Sequence, residues 1–363
     1  MMNQYVLKFA LAIFFVSILP GLYAQTDLTA QIDSIVQAAY VDDMPGAAFI
    51  VVRNGETLYR GAKGLANVEL NIPLRPDMVF RLGSITKQFT STSILLLQEQ
   101  GKLKLEDTID NYLPDYPSDP ASAITIEHLL THTSGIVSYT GIPGYMMSDK
   151  IRRDLTTGEL VAVFKDLEPV SAPGEEWSYN NSGYVLLGAI IEQVSGQSYE
   201  DFVQEHIFDK LGMKNSYYGS YTKIIPNRVD GYQVVNDSVS NARFLSMTQP
   251  HAAGSLLSTV DDLAIWDRAL FAGEVLSAES FQRMTTSGLL NNGNEHGYGY
   301  GLMLGESAGK KTVSHGGGIF GFATFEIHIV DENLFVAVFS NGATRERNPG
   351  TIARQIVELV LND

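Results

Sequence analysis

The spacing of apolar residues changes period repeatedly along the chain. Residues 25–40 carry Leu28, Ile32, Ile35, Val36 and Ala39 at the three-to-four spacing of an amphipathic helix. Residues 47–52 form an unbroken apolar run, Asn54-Gly55 is a two-residue hairpin turn, and residues 57–66 resume with strand composition, so two adjacent antiparallel strands are predicted. From residue 84 to about residue 288 the pattern is mainly helical, broken by loops such as Leu113-Pro114-Asp115-Tyr116-Pro117 and Ala172-Pro173-Gly174. Its clearest helices are predicted at 125–130, 184–194, 199–211 and 261–271. Strand patterns return at 299–304, 312–314, 322–330 and 334–339, and residues 352–361 are helical again.

Strands at both ends with helices between them predict an α+β fold. One mainly antiparallel sheet is assembled from both termini, flanked by terminal helices, with a large helical insertion beside it. The sheet part is placed at residues 25–80 and 295–363 and the helical part at 81–294, all in a single domain spanning 25–363. A site that draws on both parts lies at their junction.

Composition adds location and excludes partners. Lys8, the apolar run 9–19 and Pro20-Gly21-Leu22-Tyr23-Ala24 have the order of a secretory signal peptide, expected to be cleaved after Ala24; an uncleaved anchor is the alternative. The run is shorter than the roughly 20 residues that span a bilayer. A mature enzyme working outside the cytoplasm, periplasmic or secreted from a bacterium, is expected, without a stable membrane span. The chain has no cysteine, so its 363 residues, 45% of them apolar, must be stabilised by core burial alone. The formal charge of −16 becomes −17 when Lys8 leaves with the leader, a surface that repels nucleic acid. A small-molecule or peptide substrate is the expected partner, with no cofactor.

Three stretches carry candidate chemistry. Phe80-Arg81-Leu82-Gly83-Ser84-Ile85-Thr86-Lys87 opens the helical part and sets Ser84 and Lys87 one turn apart on one face. A serine hydroxyl is a weak nucleophile near neutral pH, and a buried lysine of lowered pKa is one of the few activators that dispense with histidine. Helix N-termini add free N–H groups and partial positive charge. Ser-x-x-Lys recurs at Ser220/Lys223 and Ser307/Lys310, but neither of those opens a helical pattern. The second stretch, Trp177-Ser178-Tyr179-Asn180-Asn181-Ser182-Gly183-Tyr184, precedes an apolar helix and pairs a phenol for proton transfer with an amide for substrate. Ser178/Asn180 has the same spacing as Tyr179/Asn181, and Ser or Asn here could instead cap the helix.

The third stretch, Val313-Ser314-His315-Gly316-Gly317-Gly318-Ile319-Phe320-Gly321, matches G-x-G-x-x-G, yet its continuation is β-rich, whereas a dinucleotide turn requires a helix. Glycines in a strand instead let backbone approach a ligand and offer it free N–H groups. His128 and His132 have zinc-pair spacing but no third ligand, and a G-x-S-x-G elbow is absent.

Taken in order, Ser84-x-x-Lys87, Tyr179-x-Asn181 and His315-x-Gly317 resemble the penicillin-recognising serine hydrolases, in the branch that holds class C β-lactamases, DD-peptidases, D-aminopeptidases and related esterases. The resemblance covers nearly the whole mature chain, including Leu129-Leu130-Thr131-His132-Thr133-Ser134-Gly135 and Ala253-Gly254-Ser255. It implies the β-lactamase/transpeptidase-like α+β fold. It implies Ser84 as the acylated nucleophile, Lys87 as its activator and Tyr179 as a proton carrier. Asn181, His315, Gly317 and Gly318 would bind substrate, with the backbone N–H groups of Ser84 and Gly318 as an oxyanion hole worth about 3 kcal/mol per donor. The match also selects the Tyr179/Asn181 frame, because Ser182-Gly183-Tyr184 follows as in the family. Many β-lactamases carry lysine at the place of His315; a histidine of ordinary pKa near 6.5 is mostly neutral at about pH 7. The expectation is cleavage of amide or ester bonds, D-Ala-D-Ala-type cell-wall peptides foremost. A β-lactamase and a small-ester esterase are the alternatives within the class, and a non-catalytic binding protein the alternative outside it.

Overall fold

The structure is a computed structural model and describes residues 20–362 except 237 and 346. Residues 1–19 of the expected leader lie outside it, and the first helix, Pro20–Ala39, runs through the expected cleavage point.

Six antiparallel strands form the main sheet in the order Met303–Ser307, Lys310–Ile319, Phe322–Ile329, Leu334–Ser340, Ala47–Arg53, Glu56–Lys63. Both ends of the chain therefore build one sheet, joined where Ala47 faces Ser340 and Arg53 faces Leu334. Closing the intervening loop of roughly 280 residues costs about 5 kcal/mol, because the penalty grows only with the logarithm of length. Phe49, Ile50 and Val51 are buried by that pairing, and at about 1.5–3 kcal/mol for each large apolar side chain their burial offsets it. The Asn54-Gly55 turn has positive φ at both residues, 53° and 80°, the twist a two-residue hairpin needs.

Alternation along the strands sends side chains to two cores. Phe49, Val51, Val336 and Val338 pack under the terminal helices Pro20–Ala39 and Pro349–Asn362 through Leu28, Ile32, Val36, Ile352 and Ile356. Ala48, Ile50, Ala337 and Phe339 face the helical part. In register, His315 lies opposite Glu326, Glu326 opposite Ala337 and Ala337 opposite Ile50, so His315 and Glu326 share the face that meets the helices.

At the centre of the helical part is Thr86–Glu99, buried on nearly every side. Its polar groups are bonded rather than solvated: Thr90 Oγ1 donates to the Ala252 carbonyl at 2.7 Å, and Ser93 Oγ to the Phe89 carbonyl at 2.7 Å. Asn181–Ser195 and His251–Gly254 pack against it.

The expected helices at 125–130, 184–194, 199–211 and 261–271 are found as Ile126–Leu130, Asn181–Ser195, a run from Tyr199 to Leu211 with an internal π-turn, and Val260–Phe271. Two expectations shift. The strand expected at 299–304 lies at Met303–Ser307. Gly299 and Gly301 are held out of it by close backbone contacts: a Cβ on Gly299 would sit 2.1 Å from the Met284 carbonyl oxygen, and one on Gly301 2.7 Å from that of Lys87. The stretch expected to be mainly helical also holds short strands. Leu256–Ser258 pairs with Phe80–Arg81 and with Tyr217–Tyr218, and Tyr232–Val235 pairs with Ser238–Asn241. Among the described residues no helix is long and apolar enough to cross a membrane.

One buried acid on the helix-facing side makes stability depend on pH. Glu326 accepts a hydrogen bond from the Gln88 amide, whose oxygen accepts from Trp266 Nε1 at 3.0 Å. Burial first, and then the Asp267 carboxylate, hold Glu326 well above the ordinary carboxyl range. An acid whose pKa is raised on folding contributes its full stability below the unfolded value and loses it as pH rises through the folded one. Denaturant midpoints should therefore fall between about pH 5 and about pH 8, and Glu326→Gln should shrink that fall. An undiminished fall in the variant would assign it to other groups.

Candidate active site

The nucleophile is set by a sharp turn from strand to helix. Phe80–Arg81 pairs with Leu256–Ser258, Leu82 N donates to the Leu256 carbonyl at 2.9 Å, and Gly83 takes φ of 55° into the single turn Gly83–Ile85 and the helix Thr86–Glu99. Against this turn lies the strand Lys310–Ile319 from the other end of the chain. A Cβ on Gly83 would stand 2.9 Å from Gly318 N, and one on Gly317 only 1.9 Å from the Leu82 carbonyl oxygen. Thr324 Oγ1 donates to that same carbonyl at 2.7 Å. Neither glycine could carry a side chain here without separating the two backbones. Beyond Ser314 the strand is no longer paired with Met303–Ser307, so its last residues present an open edge beside Ser84.

Lys87 is fully buried, and its Nζ lies 3.2 Å from Ser84 Oγ. It also donates to Asn181 Oδ1 at 2.9 Å and to the Ala253 carbonyl at 2.8 Å. The rings of Tyr179 and Tyr184 stand 4.8 and 5.3 Å away, and among the described residues no carboxylate forms an ion pair with it. Ring faces favour a cation only weakly next to the cost of burying one without a counter-charge, so desolvation holds the amine well below the usual lysine range. Two fixed acceptors use both N–H bonds of a neutral amine. Its lone pair is then left for the Ser84 hydroxyl, the geometry of a general base.

Tyr179 and Asn181 come from the loop that enters Asn181–Ser195. Asn180 caps that helix through its side chain, accepting from Gly183 N at 3.0 Å, while Asn181 reaches Lys87. Spacing alone left both asparagines open; one is structural and the other faces the site. Both ends of the Asn181 carboxamide are engaged, since Nδ2 donates to Thr140 Oγ1 at 3.0 Å. The Tyr179 hydroxyl is buried and closes no hydrogen bond. Burial pushes its pKa up, and the Ser84 hydroxyl nearby acts the other way.

His315 faces the helical part but is only 2% exposed. Its Nδ1 lies 2.7 Å from the Gly316 carbonyl, which can only accept, so Nδ1 carries the proton and Nε2 accepts from the Tyr298 hydroxyl at 3.0 Å. Burial, and then Lys87, push its pKa down to about 3, so the imidazole is neutral. Gly317 serves the close approach to Leu82, while Gly318 lines the cavity with Ser84. That cavity, about 400 Å³, is walled by Tyr139, Thr140, Met146, Leu245, Ile319 and Phe320 among others, and among the described residues no charged side chain lines it.

Several further residues support the site, of which Tyr298 carried no chemical signal in the sequence. Tyr298 holds His315, and the Ala253 carbonyl holds Lys87. His132, in the left-handed region at φ of 61°, accepts from Asn180 N through Nδ1 at 3.1 Å and from Ser178 N through its carbonyl at 2.9 Å. Its ring centre is 4.4 Å from that of Tyr179. The histidine of the HTSG run thus fixes the Tyr-x-Asn loop. His128, its partner in the zinc reading, has Nδ1 occupied by Thr125 N at 3.1 Å in a helix cap. Among the described residues no group of three or more metal-ligating side chains occurs. Ser220 lies in an exposed loop, and Ser307 and Lys310 flank a hairpin turn.

Fold and site together define a serine hydrolase of the β-lactamase/transpeptidase-like class. Residues 32–361 match the Beta-lactamase protein family, and the chain belongs to it. It is 32% identical over 308 residues to Penicillin-binding protein 4* of Bacillus subtilis (strain 168), covering 80% of this chain and 67% of that protein. It is 35% identical over 201 residues to Esterase EstB of Burkholderia gladioli, covering 52% of this chain and 51% of the esterase. The structure of a D-stereospecific amidohydrolase from Streptomyces sp. superposes with a TM-score of 0.77 at 29% identity, covering 91% of this chain and 97% of that one.

The electrostatics of the two basic side chains predict the pH profile. kcat/KM should rise through an acidic limb as Lys87 loses its proton, at a pH well below the ordinary lysine range. His315, neutral above about pH 3, should add no inflection in the ordinary histidine range near 6.5. A profile from about pH 5 to pH 9 on wild type and His315→Gln checks this. An inflection near 6.5 that disappears in the variant would show that the imidazole titrates.

Proposed function

We propose that the enzyme cleaves amide or ester bonds through an acyl-enzyme on Ser84, and that the groups flanking the scissile bond are uncharged. Neutral Lys87 accepts the Ser84 proton as Oγ attacks the carbonyl carbon, and the resulting oxyanion is held by the backbone N–H groups of Ser84 and Gly318. Collapse of the tetrahedral species breaks the bond to the leaving group, which takes a proton delivered from Lys87 by way of Tyr179. Water then repeats the sequence on the acyl-enzyme, releasing the acid and restoring Ser84.

The observation that carries the reading is the Lys87 amine, buried without a counter-charge, 3.2 Å from Ser84 Oγ with its two other contacts fixed. A binding protein would have no reason to sustain so costly a burial. The uncharged lining of the cavity supports a choice among substrates. D-Ala-D-Ala peptides and β-lactams both carry a carboxylate close to the scissile bond, and among the described residues no cationic side chain lines the cavity to meet it, since His315 is neutral and tied to Tyr298. Neutral D-residue amides and small esters fit better, in line with the relatives named as a D-stereospecific amidohydrolase and an esterase.

Intact-mass measurement after treatment with a fluorophosphonate should show one adduct, mapped to the peptide containing Ser84 and absent in Ser84→Ala. An adduct on another serine sinks the assignment. A penicillin should label slowly, whereas rapid labelling and release would restore the lactamase reading.

We also propose that the enzyme is exported, on the strength of Lys8, the apolar run 9–19 and Ala24. Expression in a bacterial host with fractionation should yield an extracytoplasmic form whose N-terminal sequence begins at Gln25; an intact N-terminus on cytoplasmic protein contradicts this.

A further inference from the structure

A second cavity of about 490 Å³ adjoins the one at Ser84, with Ile319 and Phe320 lining both. Its other walls include Tyr232, Val234, Phe322 and Met147, and among the described residues Arg243 is the only charged one lining it. The Arg243 guanidinium lies 5.5 Å from the centre of the Phe320 ring and donates to the carbonyls of Met146 at 3.2 Å and Met147 at 3.0 Å. It is thereby fixed on the ridge between the two cavities.

Two more arginines stand on the same side. Arg81, three residues before Ser84, lies 5.4 Å from the Phe322 ring and 5.5 Å from that of Tyr221, and Arg228 lies 5.8 Å from Tyr221. Tyr221 stacks at 4.3 Å on Phe244, the neighbour of Arg243. Among the described residues none of these three arginines pairs with a carboxylate, whereas Arg53, Arg60, Arg75, Arg268 and Arg283 all do. In a chain of formal charge −16, three unpaired guanidinium groups gathered on aromatic faces beside one cleft form a local positive field on an acidic surface. Held by aromatic faces and carbonyls, they retain free donors in the fork geometry that suits a carboxylate.

We propose that the second cavity is a distal substrate subsite in which Arg243 binds a carboxylate several bonds away from the scissile bond. The substrate is then an extended acyl or peptidyl chain, uncharged where Ser84 attacks and anionic at the far end, laid across Ile319 and Phe320. This rests on Ser84 as the nucleophile, and it adds to that reading the substrate's far end.

Matched 4-nitrophenyl esters of straight-chain acyl groups test it, each made with a free terminal carboxylate and with the same carboxylate capped as a methyl ester. At the chain length that reaches Arg243, kcat/KM for the free acid should exceed that for the capped ester by about five- to tenfold, and added salt should reduce the ratio. Arg243→Gln should bring the ratio close to one, and Arg243→Lys, which keeps the charge, should retain most of it. A ratio of one at every chain length in wild type, or a ratio unchanged in Arg243→Gln, overturns the subsite. Calorimetric binding of the corresponding anilides to Ser84→Ala protein gives the same comparison without turnover. Preferential binding of the free acid there, with no hydrolysis by wild type, would refute the hydrolase reading and leave the subsite standing. Equal binding of both ligands refutes the subsite alone.

Discussion

The contact on which everything else depends is between two pieces of bare backbone. Leu82 and Gly83 come from the turn that presents Ser84, and Gly317 and Gly318 from a strand more than two hundred residues later. They meet so closely that a methyl group at Gly317 would fall 1.9 Å from the Leu82 carbonyl oxygen. The main sheet carries the second piece and the helical part carries the first. The cavity exists because these two bodies are locked at this point, with Thr324 hydrogen-bonded across it. The turn itself needs glycine, because Gly83 takes a positive φ that glycine adopts at no steric cost.

Around that contact the site avoids charge. Lys87 is surrounded by one amide oxygen, one carbonyl oxygen and two aromatic rings, with no carboxylate that would hold it protonated. Burial also holds His132 and His315 neutral, and Lys87 works in the same direction on each. Three neighbouring bases cannot all take a proton in a dry space, because like charges there repel strongly. Such an arrangement favours a serine whose proton has one destination. Tyr179, with a buried hydroxyl beside Ser84, is placed to exchange a proton as charge develops.

Much of this was legible in the sequence, and for identifiable reasons. The sheet strands follow alternation or short β-branched apolar runs bounded by turn residues, and Asn54-Gly55 marks its hairpin. Ser84 and Lys87 were found because one helical turn fixes their relation. Spacing alone does not tell Asn180 from Asn181, since a capping asparagine and a site asparagine look alike; the family resemblance selects Asn181, and the structure has Asn180 as the cap. The strand at Met303–Ser307 was misplaced because Gly299 and Gly301 are governed by contacts with Met284 and Lys87, distant in sequence. Tyr298 and the Ala253 carbonyl were invisible for the same reason: a phenol and a peptide oxygen acquire a role only through what the fold brings to them.

His315 shows how far a motif can mislead about chemistry while being right about place. Its spacing from Gly317 marks the strand beside the nucleophile, and its register with Glu326 puts it on the correct face. A histidine there invites the idea of a partly charged group meeting a substrate carboxylate. With one nitrogen donating to the Gly316 carbonyl and the other accepting from Tyr298, it has no donor left for such a group. Protonation would force Nε2 to become a donor, turn the Tyr298 hydroxyl away and place a cation beside Lys87, so the hydrogen-bond pattern and the burial oppose charge together. An anion on the substrate finds no donor at His315, whereas Arg243, which among the described residues pairs with no carboxylate, stands on the Phe320 ring.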